Sequence, residues 1–256
     1  TRTEYAGLRF YDNRPARVAE SRVLSDGTEI ELTAVAYAYE QSPLMERVVK
    51  TVTAAGSSQE QTSVEETYGE AAAYPYAAGQ IKFTRDIAGV ETFYDYEAAA
   101  EHGAAHKKTA ITKVGGELAA GQSRKTESFL AANDTVLVEQ ESVWDGDNWL
   151  PLSSGAHEYD EEGRRTKTTR GNGRVTSTSW MCCGKLSETD EDGILTSYGY
   201  NSAHQLVETI RSEISDGDTV VTPETITTYT RDAAGRVLQT RRDRGAMTTT
   251  ESVEYD

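Results

Sequence analysis

Two tryptophans flank a run of carboxylates and an amide in Trp144-Asp145-Gly146-Asp147-Asn148-Trp149. Indoles beside such groups suit a glycan surface, where a ring stacks on the sugar and Asp145, Asp147 and Asn148 take its hydroxyls. The same residues suit a hairpin tip, because Asp-Gly supplies the positive φ of a tight turn and the two Trp then pair across the strands. Both readings stand on the sequence alone.

His102 and His106 are four residues apart, which on a helix sets both on one face at metal-ligand spacing, with Glu97 or Glu101 as a third ligand. Residues 97–107 are rich in Ala, so a helical turn or two is expected there, although Gly103 weakens it. No His-Glu-x-x-His occurs, and two solvated histidines in a loop are the plainer expectation. His157 and His204 read as solvated strand or turn residues.

Ser25-Asp26-Gly27-Thr28 and Ser215-Asp216-Gly217-Asp218 place one Asp-Gly in each half of the chain. Two carboxylates in contact can share a proton and do acid–base work, as in aspartic proteases. If the chain is a hydrolase, Asp26 and Asp216 are its candidate pair. Neither segment carries the Asp-Thr/Ser-Gly signature, however, and Asp-Gly is itself a common hairpin turn. The expectation is therefore no catalytic residue.

Cys182 and Cys183 are adjacent. Consecutive Cα atoms lie about 3.8 Å apart, short of the roughly 4.4–6.8 Å that a disulfide spans, so they form no ordinary disulfide framework. With no further Cys and no His beside them in sequence, they read as small apolar residues at a turn. Gly-x-Ser-x-Gly, Walker, dinucleotide and EF-hand motifs are all missing, which argues against nucleotide chemistry and predicts no cofactor.

The elements that must carry these residues are short strands. From Gln80 onward, segments rich in Thr, Val and Tyr alternate with Gly115-Gly116, Asn133-Asp134, Asp145-Gly146, Gly171-Asn172-Gly173, Asp192-Gly193 and Asp216-Gly217. Strands joined this tightly are antiparallel, so an all-β meander is predicted, with one wet face. Residues 31–40 and 46–54 read as strands in a less regular first region. Ala71 to Gly79, with Tyr74-Pro75-Tyr76, reads as a loop or linker, and a boundary is expected there or near Pro151 to Gly155. The predicted division is residues 1–79 as an irregular β region, 80–156 as degenerate β-repeats and 157–256 as the regular repeats.

In that last region an aromatic residue recurs roughly every twenty to thirty positions, at Tyr159, Trp180, Tyr200, Tyr229 and Tyr255, with a turn signal behind it. The clearest units are Tyr159-Asp160-Glu161-Glu162-Gly163-Arg164, Thr230-Arg231-Asp232-Ala233-Ala234-Gly235-Arg236-Val237 and Glu254-Tyr255-Asp256. Thr84-Arg85-Asp86-Ile87-Ala88-Gly89-Val90 running into Tyr94-Asp95, and Tyr11-Asp12, are fainter copies. This pattern resembles the YD repeats of the RHS family, found in bacterial RHS proteins, toxin-complex shells and teneurins. The resemblance implies an extended, twisted meander that is part of a curled shell, with the five aromatics packing one turn on the next. It also implies a secreted or cell-surface bacterial protein whose partners are the rest of a longer repeat protein or an enclosed domain, and glycans. Self-cleaving RHS proteins carry an Asp-Pro motif that this chain lacks.

Composition limits the partners. The chain has 256 residues and a formal charge of −16, from 42 acidic and 26 basic side chains. Phosphate binding needs a concentrated basic surface, so nucleic acid is an unfavourable partner, and anionic membranes likewise. No run approaches the roughly eighteen apolar residues of a spanning helix. The sequence opens on Thr1-Arg2-Thr3 without Met, the expectation for a mature form or an excised segment. Only 37% of residues are hydrophobic and four are Phe, thin material for a compact enzyme core.

Overall fold

The computed structural model describes residues 2–5, 15–54, 60–217 and 219–255. Tyr11-Asp12, Asp218 and Asp256 lie outside them. The contacts divide the chain into two units, Thr1–Ser153 and Ser154–Asp256.

The first unit is an antiparallel meander of ten strands: β1 (Arg2–Tyr5), β2 (Pro15–Val23), β3 (Glu29–Gln41), β4 (Met45–Ala54), β5 (Glu60–Tyr68), β6 (Ile81–Arg85), β7 (Val90–Ala98), β8 (His106–Val114), β9 (Arg124–Leu130) and β10 (Val136–Trp144). Each pairs with the next in sequence. β11 (Trp149–Tyr159) crosses the boundary between the units. The second unit continues with β12 (Arg165–Arg170), β13 (Val175–Met181), β14 (Gly184–Thr189), β15 (Leu195–Tyr200) and β16 (Leu206–Arg211). β17 (Ile214–Asp216) and β18 (Thr219–Thr222) form a side hairpin, and β16 then pairs with β19 (Thr225–Arg231), followed by β20 (Val237–Arg244) and β21 (Met247–Ser252).

Several expectations need correction. The Thr- and Val-rich stretch 220–229 is two strands rather than one, broken at Pro223-Glu224, because proline has no N–H for the ladder. The division between the units, at Ser153–Ser154, falls within the expected Pro151 to Gly155, although the backbone there is strand rather than loop. β2 and β5 add strands where none was expected. The helix expected in residues 97–107 is a single 3₁₀ turn, Glu101–Gly103, in which His102 takes φ 56°. Left-handed residues at 102 and 103 end any helix there.

The segment around Tyr74-Pro75-Tyr76 is indeed a loop with one 3₁₀ turn, Pro75–Ala77, but a packed one. The Tyr76 ring stacks on His106 at 3.7 Å and 7° between planes, and the Tyr74 hydroxyl lies 2.6 Å from His106 Nδ1. The Tyr76 hydroxyl donates to Asp134 at 2.6 Å, and its ring meets Tyr96 edge-on. Burial and the Asp134 carboxylate push the Tyr76 hydroxyl pKa well above its ordinary range. This loop closes the small apolar cluster of the first unit, where Val64, Ala77, Tyr96, Ala104, Phe129 and Leu130 are buried.

The second unit has no such cluster. Among its described residues the one buried side chain is Thr227, which is polar. Its strands stay partly in water: Val175–Met181 alternates between exposed and half-buried positions without reaching full burial, and Met247–Ser252 is exposed throughout. A sheet with no buried apolar side chain among its described residues has no second layer packed on it, so cross-strand pairs and turns must supply what a core usually does.

Candidate functional site

The repeat itself is the best-defined constellation. Asp160, Asp190, Asn201 and Asp232 each open a five-residue turn in the second unit. The N–H of the opening residue donates to the carbonyl of the fifth residue, and the N–H of the fourth donates back to the opening carbonyl. The fourth residue is left-handed in each: Gly163 at φ 77°, Gly193 at 81°, His204 at 58° and Gly235 at 84°. This is the three-residue hairpin loop that ends on a left-handed residue. Asp86 to Val90 repeats it in the first unit.

The opening side chain completes the turn. Its Oδ1 accepts the N–H of the fifth residue at 2.8 Å in Asp160, 2.9 Å in Asp190, 3.0 Å in Asn201 and 2.8 Å in Asp232. Where the fifth residue is Arg, its Nε also meets the second carboxylate oxygen, at 2.7 Å for both Arg164–Asp160 and Arg236–Asp232. The Arg236 guanidinium, with backbone N–H bonds, holds the Asp232 carboxyl below its usual range. For Asp190 the Ile194 N–H does so first. At Asp160 partial burial raises the pKa, but the N–H and guanidinium of Arg164 outweigh it. The motif Asp-x-x-Gly-Arg is thus a turn written in side chains.

A side chain at the end of a strand, or within a few residues of it, reaches back to the neighbouring strand. Trp180 Nε1 donates to the Arg165 carbonyl at 2.9 Å, Tyr200 to the Lys185 carbonyl at 3.0 Å, and Tyr255 to the Val237 carbonyl at 3.1 Å. Each acceptor is the first or second residue of the adjacent strand. In the fourth case the donor is Arg231, whose Nε reaches the Leu206 carbonyl at 3.0 Å and whose Nη1 reaches Gly235 at 2.8 Å. Tyr229 instead lies under the Arg231 guanidinium at 6.0 Å. Tyr159 closes β11 directly before the first of these turns. At the other end of the same strands, Arg211–Asp190 at 3.0 Å, Arg174–Asp192 at 3.1 Å and Arg170–Glu191 tie turn to turn.

The Trp144–Trp149 segment is a hairpin tip. The rings meet edge to face at 5.3 Å and 60°, and Lys125 Nζ lies 5.8 Å over the Trp149 ring. Asp145 Oδ1 accepts the N–H groups of Asn148 at 2.7 Å and Asp147 at 2.8 Å, which lower its pKa. The side chains of Asp147 and Asn148 are exposed beside the half-buried rings.

Asp26 and Asp216 belong to different units, each in its own hairpin. Asp26 Oδ1 accepts the Thr28 N–H at 2.9 Å, and bonds from the Thr28 backbone and side chain keep its carboxyl below the ordinary range. A carboxyl that ionises early is poorly suited to holding a shared proton at neutral pH. His102 meets the Phe129 ring edge-on at 4.7 Å, whereas His106 opens β8 between Tyr74 and Tyr76. The helix that would have set both on one face is not formed.

Cys182 and Cys183 are exposed free thiols in the two-residue loop between β13 and β14, with Sγ atoms 2.6 Å apart. The hydrogen bond with Cys182 pushes the Cys183 thiol up. No His stands near them in sequence, yet the fold brings one: ligand atoms of Cys182, Cys183 and His204 lie within 4.8 Å of one another. The turn holding His204 belongs to the next hairpin at the same end of the sheet, so the two loops are neighbours. A signal was present, since His204 occupies the turn position that holds Gly in the sister units.

These features define an all-β, open antiparallel meander with a repeated capped turn. No helix among the described residues is long and apolar enough to cross a membrane. No family model and no curated protein matches the chain in sequence. Among solved structures it is similar to TcdB2-TccC3-Cdc42, at 14% identity over 94% of this chain with a TM-score of 0.40, and to TcdB2-TccC3 without its hypervariable C-terminal region, at 13% over 94% with 0.43. It is also similar to a porin-like protein from Bacteroides uniformis ATCC 8492, at 13% identity over 93% of this chain and 94% of that one, with 0.26. The chain spans 15% and 16% of the two toxin-complex chains. Likenesses at these scores carry no argument about the chain's role.

Proposed function

We propose that this chain is a non-catalytic wall segment of a longer extracytoplasmic YD-repeat protein, which works by enclosure and surface display. The observation that carries the reading is the second unit, an antiparallel sheet without a buried apolar residue among those described. A single wet layer is poorly suited to standing alone, because repeat sheets draw stability from neighbours on either side. β21 is exposed along its length and pairs with β20, leaving its other edge open among the described residues. The partners that follow are further strands of the same repeat array and whatever domain the array surrounds, on a bacterial surface or in secreted form.

Amide hydrogen exchange on β21 tests this, measured in the chain alone and in the chain extended by its native flanking sequence. Continuation of the sheet slows exchange over Met247–Ser252 by at least tenfold in the extended protein, and unchanged exchange would remove the wall reading. Cleavage of casein across pH 3 to 8 that stops on substitution of Asp26 or Asp216 would overturn the non-catalytic part.

Glycan contact at the Trp144–Trp149 tip is a second reading, favoured by Asp147 and Asn148 lying exposed beside two half-buried indoles. A glycan-array signal that is lost in Trp149→Ala would support it.

A further inference from the structure

The neighbouring turns at residues 182–183 and 201–205 do more than close hairpins. We infer that Cys182, Cys183 and His204 form a binding site for a thiophilic divalent cation of the zinc class, with three protein ligands and an open coordination position. The group has the donor set of a borderline-soft metal, two sulfurs and an imidazole. Its three ligand atoms lie within 4.8 Å of one another and all three residues are exposed, so a cation can reach them. It stands as the one group of three or more such ligands among the described residues.

Ligands around zinc, with bonds of about 2.0–2.3 Å, sit roughly 3.5–4 Å from each other. The two sulfurs, 2.6 Å apart, must therefore open by about an ångström, which rotation of exposed side chains allows. The backbone beneath them is already fixed. Arg164 Nη1 donates to the Met181 carbonyl at 3.0 Å on one side of the cysteine loop. On the other side Tyr200 packs on Gly184 and donates to Lys185 at 3.0 Å, joining the cysteine loop to the residue just before the histidine turn. The nearby cations are compensated, with Arg164 on Asp160 and Lys185 on Glu188 at 2.6 Å.

Two local choices disfavour the fold and favour a ligand. His204 holds φ 58° where its sister turns have glycine, a conformation that a side chain makes costly. The two-residue loop lacks the Asn-Gly or Gly-x chemistry of favoured hairpins, and neither cysteine adopts positive φ. Residues that weaken a turn yet converge on one point mark a site, here one independent of the wall role.

The experiment is titration of the full chain with Co²⁺ and with Zn²⁺ in the presence of a phosphine reductant. One Co²⁺ per chain with an intense near-ultraviolet thiolate band, displaced by Zn²⁺, is expected. Cys182→Ser with Cys183→Ser should abolish the band. His204→Gly, which restores the residue of the sister turns and so keeps the fold, should weaken binding at least tenfold. Failure of Co²⁺ to bind, binding that survives the double serine variant, or unchanged affinity in His204→Gly would each overturn the proposal.

Discussion

The Tyr200 hydroxyl sits where a side chain at position 184 would begin: a Cβ built on Gly184 would lie 2.5 Å from it, closer than any real contact. The same hydroxyl donates to the Lys185 carbonyl at 3.0 Å, so the ring cannot swing away without losing that bond. One glycine and one tyrosine thus join two successive turns. Gly184→Ala is expected to destabilise the second unit by about 1–3 kcal/mol through overpacking, and Tyr200→Phe by about 1 kcal/mol through loss of one hydrogen bond. Urea denaturation of both variants checks this, and a Gly184→Ala protein as stable as its parent would contradict it.

Arg231, rather than Tyr229, takes the place of Trp180, Tyr200 and Tyr255 in its repeat. Its guanidinium bonds two backbone carbonyls, and hydrogen bonds to charged groups are worth about 1.5–3 kcal/mol. Arg231→Ala should cost that order of stability, while Tyr229→Phe should stay within about 0.5 kcal/mol of the parent. Thermal melts of the pair would show which side chain is the anchor.

The capped turns make stability depend on pH with a definite sign. The carboxyls of Asp160, Asp190 and Asp232 have folded pKa values below their unfolded ones. Their contribution is full above the ordinary Asp value of about 3.9 and is lost as pH falls through the depressed folded values. A urea midpoint that is level from pH 7 to about 5 and then drops below about 4 is expected, and the drop should shrink when all three are Asn. A midpoint that falls between pH 7 and 5 would point to other groups.

Left-handed residues other than glycine give a contrast between two turns. His204→Gly should stabilise the metal-free chain by about 1 kcal/mol, since the strained conformation is relieved. Asp134→Gly, at φ 65°, should gain less or lose, because Asp134 also accepts the Tyr76 hydroxyl at 2.6 Å. Melting temperatures of the two variants, measured with a chelator present, distinguish them.

Much of the meander was legible because the turn chemistry is local. Asp160, Gly163 and Arg164 announce a turn by their own side chains, and strands between such turns must pair with their sequence neighbours. Some strands were missed: β5 borders stretches with no Asp-Gly signal, β2 has Asp26-Gly27 on one side only, and Pro151 disguised the early part of β11. The Tyr74–His106–Tyr76 stack was out of reach because it joins a loop to a strand some thirty residues on. The Cys182, Cys183 and His204 group was hidden for a related reason. Its ligands become neighbours when hairpins stack side by side, a relation set by sheet register rather than by spacing in the sequence.

The most direct measurement of the account is the urea m-value of the chain, which scales with the surface exposed on unfolding. A second unit whose described residues include no buried apolar side chain has less left to expose than a globular domain of its size. The account predicts an m-value clearly below that of compact proteins of equal length, and lower still for transitions that report on the second unit. An m-value typical of a compact globular protein of this length would show that the second unit buries a core, and would contradict the single-layer wall.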